Sequence, residues 1–101
     1  MEKFISIPVT LASVTNIQLI SATNVVAVFA GTAGTNTATA ANTVIMYQGG
    51  KVVTLVHGNQ TAFNMRDAIQ NTIATALQTS WTNVVYVAPA LPITVTLVTA
   101  V

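Results

Sequence analysis

The chain's one histidine, His57, and its one aspartate, Asp67, lie in the stretch GGKVVTLVHGNQTAFNMRDAIQ, residues 49–70, together with Lys51 and Arg66. Only Glu2 and Lys3 carry charge elsewhere. His, Asp and a serine could form a hydrolytic triad, in which the imidazole takes the serine proton and the carboxylate holds the ring. Ser6 and Ser80 are the serines considered. Neither sits in the G-x-S-x-G turn that presents a nucleophile, so no catalytic site is expected. One His, one Asp and one Glu, with no Cys, fall short of the three or four ligands of a metal centre. GTAGT (31–35) lacks the lysine and the spacing of a phosphate loop. NQT (59–61) matches a glycosylation sequon without a secretory signal. Trp81 is expected to pack at a helix end. No cofactor is expected.

Arg66 and Asp67 stand side by side at the start of NMRDAIQNTIATALQTSW, the one convincing helix. Met65, Ile69, Ile73 and Leu77 recur every four residues, with Ala62 and Ala76 on the same face. Asn64 followed by Asp67 has the form of a capping box, and Asp67 complements the helix dipole. Arg66 projects near Ile73 and Leu77. Adjacent helix positions do not face one another, so no Arg66–Asp67 ion pair is expected. The expected partner of Arg66 is Glu2, a backbone carbonyl, the Val101 carboxylate or a neighbouring subunit, and its expected role is to fix register.

Short β runs surround this helix: Lys3 to Val9, Asn16 to Ile20, Val25 to Ala30, two arms flanking Gly49-Gly50, Asn83 to Ala88 and Ile93 to Val98. Val25 to Ala30 is apolar on both faces and is expected to be covered on both. The last run alternates as a half-exposed strand near an edge does. A two-residue turn at Gly49-Gly50 pairs Tyr47 with Val52 and Ile45 with Thr54. One face of that hairpin would carry Val44, Met46, Val53 and Leu55, and the other Ile45, Tyr47, Val52 and Val56. Low-complexity Gly31 to Asn42 is expected to be a loop joining two strands. The fold class is therefore α+β, mainly β: one domain over residues 1–101, an antiparallel sheet or small sandwich of about seven strands, with one helix between strands five and six.

Charged residues make up 5% of the 101-residue chain, apolar residues 52%, and the net charge is +1. Ordinary soluble domains carry about 25% charged residues, so this surface invites association. Asn16 to Ala30, broken by polar residues, is too short for a membrane span. Glu2 and Pro8 argue against a signal peptide. Three basic residues cannot track a phosphate backbone. Neither a membrane nor a nucleic-acid partner is expected.

Three stretches, MEKFISIPVT, GGKVVTLVH and MRDAIQ followed by ALQTSWT, resemble small Thr-rich β proteins of contractile-tailed marine cyanophages, regarded as virion structural proteins. The resemblance implies a capsid, neck or tail component located in the virion and, during infection, in the host cytoplasm. It also implies other virion proteins as partners. With the composition, this leads to a non-catalytic homo-oligomer, a trimer being one closed form. The alternative is a small phage-encoded module that binds a host protein. The interface candidates are Tyr47, Val52, Val56, Arg66, Ile93, Val95 and Leu97.

Overall fold

A computed structural model of the chain describes residues 3–11, 13–32, 34–79, 84–88 and 90–100. Among these the fold is mainly β, with eight strands in two sheets and one helix. The strands are β1 (Phe4–Leu11), β2 (Val14–Ser21), β3 (Val25–Thr32), β4 (Thr35–Asn36), β5 (Asn42–Tyr47), β6 (Val52–Val56), β7 (Val85–Val87) and β8 (Leu97–Ala100). Helix α1 spans Asn64–Gln78, between β6 and β7. One sheet has the order β2-β1-β7, the other β4-β3-β5-β6-β8. All neighbours are antiparallel except β1 and β7, which run parallel.

The inner faces of both sheets and one face of α1 share a core. Ile5, Ile7 and Ile20 come from the first sheet, Val28, Ile45 and Leu55 from the second, and Met65, Ile69, Ile73 and Ala76 from the helix. Each large side chain buried there contributes about 1.5–3 kcal/mol. On the helix, Thr72 takes the place expected of Leu77. Thr72 is buried with its hydroxyl donating to the Ala68 carbonyl, 2.8 Å away, and Leu77 is exposed.

Six strands precede the helix rather than five. The extra one, β4, lies inside the low-complexity segment and folds back on β3. Backbone carbonyls tie the rest of that segment down: Ala38 accepts from the Phe63 N–H, Ala40 from Gln60, and Ala41 from both His57 and Gly58. Gly31 has φ +108°, and a Cβ there would lie 3.3 Å from the Ala40 Cβ, so this corner suits glycine. Main-chain bonding of this kind leaves no apolar period in the sequence.

The β5–β6 hairpin turns through three residues, Gln48, Gly49 and Gly50, with Tyr47 donating its N–H to the Lys51 carbonyl. Both glycines have positive φ. Met46 consequently pairs with Val52 and Ile45 with Val53, one residue away from the expected register, and a one-residue slip exchanges faces. Ile45, Tyr47, Val53 and Leu55 share the inner face. Val44, Met46, Val52 and Val56 share the outer one. Val25 to Ala30 is not covered on both sides either: Val26, at a bulge in β3, is exposed. The closing run also departs from expectation. Val95 is buried and bridges Val9 in parallel, and only Leu97–Ala100 pairs with β6 as an edge strand.

The ends of α1 are capped from outside the helix. Phe63 is the N-cap, with φ 62° and no side-chain cap bond, so the expected capping box is not formed. Instead the Gln60 Oε1 accepts from the Arg66 N–H at 3.1 Å, and the Asn64 Oδ1 accepts from the Thr61 N–H. At the other end Lys3, completely buried, donates its Nζ to the Ala76 and Thr79 carbonyls, each at 2.8 Å, and to the Thr79 hydroxyl. A cation on terminal carbonyls satisfies acceptors that the helix cannot and complements its dipole.

Candidate functional site

His57 and Asp67 are each engaged by neighbours other than one another. The His57 ring lies buried at the end of β6, with Nε2 2.8 Å from the Thr43 hydroxyl and Nδ1 2.6 Å from the Gly58 carbonyl. Because a carbonyl only accepts, Nδ1 carries the proton and Nε2 accepts from Thr43. Burial pulls the His57 pKa below the usual histidine value, and the bond to Gly58 partly opposes that shift. Asp67 pairs with Arg66: its Oδ1 accepts from Nη2 at 2.9 Å and from Nε at 3.2 Å. The Arg66 guanidinium lies over the Phe63 ring, 4.3 Å from its centroid. The adjacent pair is thus formed, contrary to expectation. The Arg stem folds back over Phe63 instead of projecting radially, which brings its head beside the next residue. Glu2, Ser80, Trp81 and Val101 lie outside the described residues. Among the described residues no cluster of three or more His, Cys, Asp or Glu side chains forms, and no helix is long and apolar enough to cross a membrane.

The seven interface candidates do not share a surface. Val95 is buried in the core, and Ile93 packs against it. Tyr47 faces inward and donates its hydroxyl to the Ser21 carbonyl, tying β5 to the end of β2. Burial pushes that phenol up to about 12. Arg66 is held within its own helix turn. Only Val52, Val56 and Leu97 lie on the outer face of the five-stranded sheet, where Val44 is buried and Val52 and Val56 are half-buried.

A more open apolar surface occupies the outer face of the three-stranded sheet. The pairing of Phe4 with Ser21 and Val85, Ser6 with Leu19 and Val87, and Pro8 with Ile17 puts these residues on one face. Ile17, Leu19, Val85 and Val87 are 64%, 48%, 42% and 71% exposed, and none of the face's residues is charged. The edge beside it is open as well. Ala22 donates its N–H to the Lys3 carbonyl, which fixes the alternation of hydrogen-bonded pairs along β1–β2. Ile20, Gln18, Asn16 and Val14 therefore bond to β1, and Thr15, Ile17 and Leu19 turn their backbone groups away from it. The same alternation aims the nitrogen of Pro8 at the β7 side, between the Ala88 N–H bond to Ser6 and the Thr10 N–H bond to Val95, where no ladder donor is lost.

Next to this edge lies a cleft of about 480 Å³, whose lining includes Gln18, Ile20, Tyr47, Lys51, Val53 and Val98. Sequence reasoning missed both edge and cleft. The alternation of Ile17 and Leu19 in NIQLI was visible, but which face it belonged to depended on the partner strand. No family model, curated protein or solved structure matches the chain.

Proposed function

We propose that this chain is a non-catalytic structural subunit that works by self-association, as a homo-oligomer within a phage particle. One observation carries the self-association: Ile17, Leu19, Val85 and Val87 stand exposed together on an uncharged sheet face. Contiguous apolar surface of that kind marks interaction sites. With a net charge of +1, no long-range repulsion keeps copies apart. The particle, and with it other virion proteins as neighbours, is supported by the likeness to cyanophage structural proteins alone. Absolute mass by light scattering, across a wide range of protein concentration, tests the reading. Multiples of the chain mass are expected. A monomer at every concentration would overturn self-association and favour a module that binds a host protein.

A further inference from the structure

We infer that β2 is a homotypic docking edge: it pairs antiparallel with β2 of a second copy about a two-fold axis at Ile17, and each hairpin tip seats Val14 in the other copy's cleft. This rests on the self-association reading and places a contact at the β2 edge of the same sheet, not on the exposed face with Val85 and Val87.

The edge needs a strand as partner, because Thr15, Ile17 and Leu19 present both N–H and C=O outward along eight residues of strand. Natural edges of this length are usually protected by charge, proline or a bulge, and VTNIQLIS contains none of the three. Among the described residues the other terminal strands are shorter: two residues in β4, three in β7 and four in β8. β3, which β4 covers only at Gly31 and Thr32, is interrupted by a bulge between Val25 and Ala27, so β2 is the long edge with an unbroken register. Without a charged residue in the strand, a two-fold places no like charges opposite each other.

Backbone parity restricts the register. Outward-facing residues must pair with outward-facing residues, which excludes an axis between residues; the two axes nearest the midpoint of β2 then fall on Ile17 and on Gln18. The second choice would pair Thr15 with Ser21, whose carbonyl already accepts from Tyr47. The axis at Ile17 pairs Ile17 with its own copy and Thr15 with Leu19, giving six N–H···O bonds. The Gln18 side-chain amide, which donates to the Leu19 carbonyl at an exposed 3.2 Å, gives way.

The same register sets Val14 opposite Ile20 of the other copy. Directly opposed residues share a face, and Ile20 lines the cleft. Val14 is 58% exposed in the single chain; seated beside Ile20, Val53 and Val98 it would be covered. About a dozen residues per copy take part, on the order of 400 Å² per partner by comparison with a standard interface of about 800 Å². An interface below the standard size is expected to be weak and reversible.

A single cysteine tests the register, since the chain has none of its own. Across a hydrogen-bonded pair at the axis the Cα atoms lie about 5.5 Å apart, within disulfide reach. Ile17→Cys should form a covalent dimer on mild oxidation. Gln18→Cys, with Cα atoms about 8 Å apart across the axis, should not. Light scattering on Val14→Asp and Ile17→Pro should show at least tenfold weaker association. Both positions are exposed and the Ile17 N–H points outward, so a thermal melt should find these variants folded. If the wild-type chain self-associates but Ile17→Cys cross-links no better than Gln18→Cys, β2 pairing is wrong and self-association stands. A wild-type monomer at all concentrations sinks both.

Discussion

The two ends of α1 are held in opposite ways. The C-terminal end is tied to β1 by Lys3, a buried cation 73 residues from the Ala76 carbonyl that it caps. The N-terminal end is held by its own neighbourhood: Gln60, two consecutive residues of positive φ at Ala62 and Phe63, and an exposed Arg66–Asp67 pair. The left-handed conformation costs about 1–2 kcal/mol per non-glycine residue, so the N-terminal end carries strain that the other end lacks. A long-range charged cap couples helix and sheet into one cooperative unit, whereas local caps only shape the approach to the helix.

Breaking the long-range end should have the largest effect. Lys3→Met removes the charge and leaves the terminal carbonyls short of donors. It should destabilise by about 3 kcal/mol, measured by urea unfolding, and its hydrogen exchange should speed up in the last turn of α1. Gln60→Ala deletes both the bond to the Arg66 N–H and that to the Ala40 carbonyl. A loss of about 1–2 kcal/mol is expected, with faster exchange confined to residues 60–67.

Acid should act on the N-terminal side too, because His57 begins the segment leading into the helix. Its folded pKa is lowered, so below the unfolded value of about 6.5 the unfolded chain binds the proton more readily. Stability should be full above that pH and fall as pH drops below it. Urea midpoints at pH 7.5 and 5 measure this. His57→Gln should flatten the difference, since the chain has no other histidine. Arg66→Leu should matter least, at under about 1 kcal/mol, because exposed pairs contribute little. It should leave the assembly mass unchanged.

The contrast also explains what the sequence made legible. The helix and most of its buried face follow from four-residue spacing, and the β5–β6 hairpin follows from two apolar arms around glycines. Its register did not, since Gly49-Gly50 suits a two- or a three-residue turn and the choice reverses every side chain. The caps were hidden for another reason: Gln60 and Lys3 lie outside the periodic segment, one just before it and one at the far end of the chain. β4 was hidden because backbone groups hold it. At the candidate site, Ile17 and Leu19 were visible as an alternation, but their exposure depends on β1 and β7, which no local pattern joins. Val95, read from the sequence as an interface residue, lies buried in the core of the single chain beside its bridge to Val9.

Pro8 has a further consequence during synthesis. The β1–β2 hairpin is local and can form in microseconds, but β7, which pairs Val85 with Phe4, leaves the ribosome far later. At roughly 5–20 residues per second the β7-facing side of β1 waits about 4–16 s for its partner. During that interval it is an unfinished edge on a nascent chain. A proline whose missing N–H falls on that side interrupts the donor row, so it guards the growing chain against premature pairing with its neighbours on the same messenger.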